Sequence, residues 1–100
     1  METYEVKLTP RALQDLDSIY AYIAQSLMEP DTALKLLSRL EGAIFSLEQL
    51  PQRGALRKTG AYANRSYRQL LIENYIAIYR VDEVHRQVIL LTVQYSHRKF

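Results

Sequence analysis

The sequence predicts an α+β fold. An N-terminal strand and a two-helix hairpin pack on an antiparallel sheet that a C-terminal three-stranded meander completes. Three observations lead there. The chain opens on an alternating apolar–polar stretch, continues with two apolar stripes at helical spacing, and ends in three short runs rich in Ile, Leu, Val and Tyr.

Tyr4 to Thr9 reads Y-E-V-K-L-T, the alternation of a half-buried strand. Thr9-Pro10 then marks a helix start, with Thr as N-cap and Pro at the first helical position, where its fixed φ is already suitable. Leu13, Leu16, Ile19, Ile23 and Leu27 step by three or four, so one stripe is expected to face the core. Asp15 and Asp17 fall early in this helix, where the macrodipole favours negative charge. As an i, i+2 pair they diverge on a helix and do not form a catalytic carboxylate pair.

A second helix is expected from Glu29-Pro30-Asp31, with the stripe Ala33, Leu36, Leu37, Leu40, Ala43, Ile44, Leu47 and Leu50, stopped by Pro51. Gln52 to Ser66 has no clear period and reads as a long loop, the kind that is functional or mobile. The meander follows over 67–72, 75–82 and 87–95. Glu73-Asn74 forms the first tight turn, with Asn74 suited to positive φ.

Neither face of this meander is clearly polar. Tyr75, Ala77, Tyr79 and Val81 oppose Ile76, Ile78 and Arg80, while Ile89, Leu91, Val93 and Tyr95 oppose Val88, Leu90, Thr92 and Gln94. Part of the second face must therefore be covered, either by the chain's own loops or by a partner.

One hundred residues make one domain, and 48% hydrophobic with 24% charged residues is an ordinary globular composition. There is no cysteine, hence no disulfide or thiolate site, and a reducing compartment fits. No export signal and no membrane-length apolar run is visible, so the expected location is cytoplasmic, with no membrane partner. No Gly-rich phosphate loop or zinc-type spacing is present, so neither cofactor nor metal is expected.

The net charge of +2 conceals a division. Residues 1–48 hold eight acids and four bases, and residues 49–100 three acids and nine bases, so the halves carry −4 and +6. Arg53, Arg57, Lys58, Arg65 and Arg68 lie between Glu48 and Glu73 with no acid among them, and Arg86, Arg98 and Lys99 follow Glu83. A cationic half points to a polyanionic or acidic partner.

Of the two histidines, His85 falls in the last turn and reads as solvated. His97 stands among Tyr95, Ser96, Arg98 and Lys99, where neighbouring cations disfavour its imidazolium and suit it to proton transfer near neutrality. Internal RNA cleavage needs an acid/base and cations for the phosphorane. Arg68 and Arg80, on neighbouring strands, are expected to meet the tail at one edge of the sheet. Tyr62, Tyr67 and Tyr95 are candidates for stacking on unpaired bases, with core or hairpin packing as the alternative for each.

The segments T-P-R-A-L-Q-D-L-D-S-I-Y-A-Y-I (9–23), L-E-Q-L-P-Q-R-G (47–54), R-Q-L-L-I-E-N-Y-I-A-I-Y-R-V-D (68–82) and V-I-L-L-T-V-Q-Y-S-H-R-K (88–99) resemble, in order, toxins of the RelE/ParE superfamily from bacterial type II toxin–antitoxin systems. The resemblance implies a small α+β toxin neutralised by a cognate antitoxin that wraps it. It also implies one of two activities. One branch cleaves messenger RNA on the ribosome; the other, ParE-like, inhibits DNA gyrase without catalysis.

The first is the leading expectation: a metal-independent endoribonuclease with His97 as acid/base and Arg68 and Arg98 as phosphate clamps. Arg53, Arg57, Lys58, Arg65, Arg80, Lys99 and Tyr95 would contact the target. The cleaving branch commonly places Arg after the Tyr that opens the middle strand and ends in a catalytic Tyr; here Ile76 follows Tyr75 and the chain ends in Phe100. The gyrase-directed branch is the alternative, and the S-H-R of residues 96–98 fits it too.

Overall fold

The computed structural model describes residues 3–58 and 66–96. Its elements are β1 (Glu5–Leu8), α1 (Pro10–Ala21) with a π-helical turn (Tyr22–Ser26), and α2 (Pro30–Phe45) with a 3-10 turn (Ser46–Glu48). Four strands follow: β2 (Ala55–Leu56), β3 (Tyr67–Ile72), β4 (Tyr75–Asp82) and β5 (Gln87–Tyr95). The five strands form one mixed sheet in the order β1-β5-β4-β3-β2. The meander is antiparallel as expected, and β1 pairs with β5 in parallel. Two residues of the expected 52–66 loop, Ala55 and Leu56, extend the sheet against Gln69 and Arg68.

Thr9 makes the chain's exit from β1 and its entry into α1. Its side-chain oxygen accepts from the Ala12 N–H at 3.1 Å, capping the helix. The same hydroxyl donates to the Leu91 carbonyl at 2.8 Å, and the Thr9 N–H donates to the Leu90 carbonyl. β5 continues beyond the last β1 partner, Leu90. Asp15 covers part of that exposed edge: Oδ2 accepts from the Val93 N–H at 3.1 Å and from the Thr92 hydroxyl. No acid lies in the first turn of α1, so the macrodipole does not account for Asp15; the strand edge does.

The inward stripe of α1 is Ala12, Leu16, Ile19 and Ile23, whereas Leu13 and Leu27 are half exposed. Leu13 stands one residue beyond Ala12, about 100° around the helix. Leu27 is carried off the stripe by the π turn, where its N–H donates to the Tyr22 carbonyl five residues back.

Helix α2 stops at Phe45 instead of continuing to Leu50. The Ser46 hydroxyl donates to the Ala43 carbonyl at 2.6 Å, and the chain tightens into the 3-10 turn. That turn still buries Leu47, but Leu50 is exposed. Leu40, Ile44 and Leu47 meet Leu70, Ala77, Tyr79, Val88 and Leu90 in the shared core.

A bulge in β5 alters the predicted alternation. Tyr79 pairs with Leu90 and Ile78 with Thr92, leaving Leu91 without a β4 partner. Val93 thereby joins Val88 and Leu90 on the helix-covered face, not Ile89 and Leu91. The face away from the helices is closed at its centre, where Ile78 has no exposure even in the isolated chain; Leu71 near its end is 68% exposed. At the first tight turn the positive φ belongs to Glu73 (54°), not Asn74. Among the described residues no helix is long and apolar enough to cross a membrane.

Candidate functional site

The segment after α2 is anchored by one close approach. Gly54 lies against β3 and β4 so tightly that a Cβ there would stand 2.5 Å from the Gln69 carbonyl oxygen and 2.8 Å from the Tyr79 hydroxyl. Only glycine fits. The Gly54 N–H donates to the Tyr79 hydroxyl at 2.9 Å, and its carbonyl accepts from the Arg68 guanidinium at 2.7 Å. Tyr79 is fully buried. Burial pushes its phenol above the usual 10.0, opposed by the Gly54 hydrogen bond and by the Arg68 and Arg53 charges. Arg53 itself donates to the Ser46 hydroxyl at 2.6 Å, tying the segment back to the end of α2.

This knot fixes where the cations go. Arg68 neighbours Tyr79 in the ladder and points with Leu70 and Ile72 toward the helix layer. Arg80 pairs with Tyr67 and points the other way. The expected meeting of Arg68 and Arg80 does not occur, because adjacent ladder positions project to opposite faces of a sheet.

Arg80 instead belongs to a row on the face away from the helices. Lys7 pairs with Ile89, Ile89 with Arg80, and Arg80 with Tyr67, whose carbonyl accepts the Arg57 N–H at 2.8 Å. Three cations thus lie across five neighbouring chain segments, with Ile89 and Tyr67 between them. Lys7 pairs with Glu5 at 3.0 Å, and the Arg57 guanidinium donates to the Gln69 side chain at 2.7 Å. Arg80 makes no hydrogen bond or ion pair among the described residues.

Tyr95 stands apart from this row. Its ring meets Tyr75 edge-on at 5.6 Å, on the helix side of the sheet end. Burial, followed by the neighbouring Tyr95 and Tyr22, raises the Tyr75 phenol above 10.0. Arg53 and Lys58 are exposed, while Arg57, Arg68 and Arg80 are partly buried. His97, Arg98, Lys99, Arg65 and Tyr62 lie outside the described residues, so the expected terminal cluster is not part of this description. Among the described residues no group of His, Asp or Glu could hold a metal ion.

Sequence reasoning singled out the cations and overlooked what positions them. Gly54 and Tyr79 lie within the resembling segments 47–54 and 68–82, and a glycine directly after a basic residue in a non-periodic stretch was the available signal. Asp15 carried no distinguishing signal.

Over residues 6–100 the chain matches the family described as the ParE toxin of the type II toxin–antitoxin system, parDE. The chain belongs to this family. It is a toxin of a type II toxin–antitoxin system. Among solved structures it is similar to the chromosomal ParDE system of P. aeruginosa, with 26% identity over 93% of this chain and 96% of that one and a TM-score of 0.76. The fold also recurs in the RelBE2 toxin–antitoxin complex of Mycobacterium tuberculosis, at 22% identity, 93% and 98% coverage and a TM-score of 0.68. The intact E. coli RelBE complex gives 14% identity, 95% and 99% coverage and a TM-score of 0.63. Comparison by sequence with curated proteins yields no match. The Gly54 segment and the meander both lie within the matched range.

Proposed function

We propose that this toxin arrests growth in the cytoplasm by binding DNA gyrase, without catalysis, and is released from that role by its antitoxin. The observation that carries the reading is the position of Arg68. Its guanidinium is engaged by the Gly54 carbonyl and faces the helix layer. The titratable group beside it, Tyr79, is buried, holds the Gly54 N–H and has its phenol pKa raised. An arginine so engaged is poorly placed to clamp a phosphate, and such a tyrosine is a poor general base. The family match supports the ParE-like branch of the superfamily in the same direction.

The test sets purified toxin against gyrase in a supercoiling assay and, separately, against translating ribosomes. Inhibition of supercoiling, no mRNA cut, and indifference to His97→Ala are the expected results. Cleavage of ribosome-bound mRNA that disappears in His97→Ala would overturn the reading in favour of the endoribonuclease. That second activity draws its support from the Lys7–Arg80–Arg57 row, where Arg80 makes no hydrogen bond or ion pair among the described residues and Tyr67 stands beside it.

A further inference from the structure

The two-helix hairpin carries an apolar groove between α1 and α2. It has a volume of about 280 Å³ and is lined by Leu13 and Leu16 from one helix and by Leu37 and Phe45 from the other. Leu13 and Phe45 stay 52% and 43% exposed, and Leu34, three residues before Leu37, is 54% exposed. Leu34, Leu37, Glu41 and Phe45 step by three or four, so they share one side of α2. Eleven residues separate the first from the last, about 16 Å or three helical turns.

The charged residues lining this groove are Asp17 from α1 and Glu41 from α2. Both are exposed, and neither makes an ion pair among the described residues. The cations of the two helices lie elsewhere. Arg11 is held by Asp15 at 3.1 Å, on the side of α1 that meets the β5 edge. Lys35 and Arg39 stand on the opposite flank of α2, where Arg39 pairs with Glu73. The groove therefore carries charge of one sign.

Exposed apolar side chains with unpaired carboxylates beside them fit a segment that is apolar on one face and basic along its flanks. A second copy of this chain does not meet that description, since a two-fold contact through the groove sets Asp17 and Glu41 against their own kind. Nor does an acidic partner, which the cationic C-terminal half attracts instead. We infer that the groove between α1 and α2 receives a basic amphipathic helix of the target enzyme, gyrase in the reading above, on which this inference rests. That helix lies along the hairpin for about three turns. Its apolar side chains meet Leu13, Leu37 and Phe45, and its Lys or Arg residues meet Asp17 and Glu41. The contact makes no demand on Arg68, whose guanidinium stays with the Gly54 carbonyl.

The experiment titrates purified gyrase into labelled wild-type toxin, Glu41→Lys and Leu13→Gln, and repeats each titration with the antitoxin that neutralises the toxin in cells. Glu41 and Leu13 are exposed helix residues, so both variants are expected to melt like the wild type; Glu41→Gln is the reserve if the charge reversal does not. Glu41→Lys turns an attraction into a repulsion, and Leu13→Gln removes apolar surface without changing charge. Each is expected to weaken gyrase binding by at least about tenfold and to leave antitoxin affinity unchanged. Raising the salt should cost the wild type more affinity than Glu41→Lys. Wild-type gyrase affinity in either variant would overturn the groove assignment. An equal loss of antitoxin affinity would overturn it too, by giving the groove to the antitoxin. If wild-type toxin itself fails to bind gyrase, the choice of target fails and this inference falls with it.

Discussion

Replacing Gly54 by alanine tests whether the Tyr79 knot organises the segment after α2. An added Cβ would stand 2.5 Å from the Gln69 carbonyl oxygen and 2.8 Å from the Tyr79 hydroxyl, where ordinary contact begins near 3.4 Å. The first of these atoms is backbone in the middle of β3, so the segment, not the strand, must retreat by about an ångström. A retreat of that size breaks the 2.9 Å bond to Tyr79 and the 2.7 Å bond from Arg68. Leaving a buried hydroxyl without its partner costs ~1–3 kcal/mol, and a hydrogen bond from a charged donor contributes ~1.5–3 kcal/mol. Since Arg68 can recover water at the surface, a loss of about 2–4 kcal/mol is expected in urea unfolding. Tyr79→Phe removes the 2.8 Å overlap but not the 2.5 Å one. The double variant should therefore be less damaged than the two single losses added together. A Gly54→Ala protein within about 0.5 kcal/mol of wild type would refute the reasoning, since that is the scatter of an ordinary surface site.

Leu40→Ala, at a fully buried site where α2 meets the sheet, should cost ~2–5 kcal/mol by the same denaturation measurement. Asp15→Ala leaves the Val93 N–H and the buried Thr92 hydroxyl without their acceptor. It should lose about 1–3 kcal/mol and speed amide exchange at Val93, read by NMR. The Asp82 carboxyl lies below its usual 3.8 because the His85 ring and then the His85 backbone N–H hydrogen-bond to it. A depressed carboxylate stabilises the fold above its unfolded pKa and ceases to do so as the pH falls through its folded value. The stability gap between wild type and Asp82→Asn should accordingly be present above pH 3.8 and close below it, as followed by unfolding midpoints across acid pH.

Local chemistry was legible without coordinates. The three strands of the meander run Tyr67–Ile72, Tyr75–Asp82 and Gln87–Tyr95 as the apolar runs and polar breaks indicate. The Thr9-Pro10 helix start holds because a cap is made by residues three apart. The order of elements and the α+β class follow from the same short-range pattern. So does the family resemblance, which rests on segments read one after another.

What depended on contacts between distant residues was decided by the tertiary structure. One unpaired residue, Leu91, inverts the facing of everything after it in β5, and no alternation rule announces a bulge. A single register step sends Arg68 toward the helices and Arg80 away from them, so a count of basic residues says nothing about which share a surface. Gly54 is required only because Tyr79 and Gln69 arrive beside it from 25 and 15 positions along the chain. Asp15 matters only because β1 ends before β5 does. Sequence determines what each segment prefers over a few residues, where entropy is lost locally. Which faces and edges those segments present is fixed when the whole sheet closes on its helices.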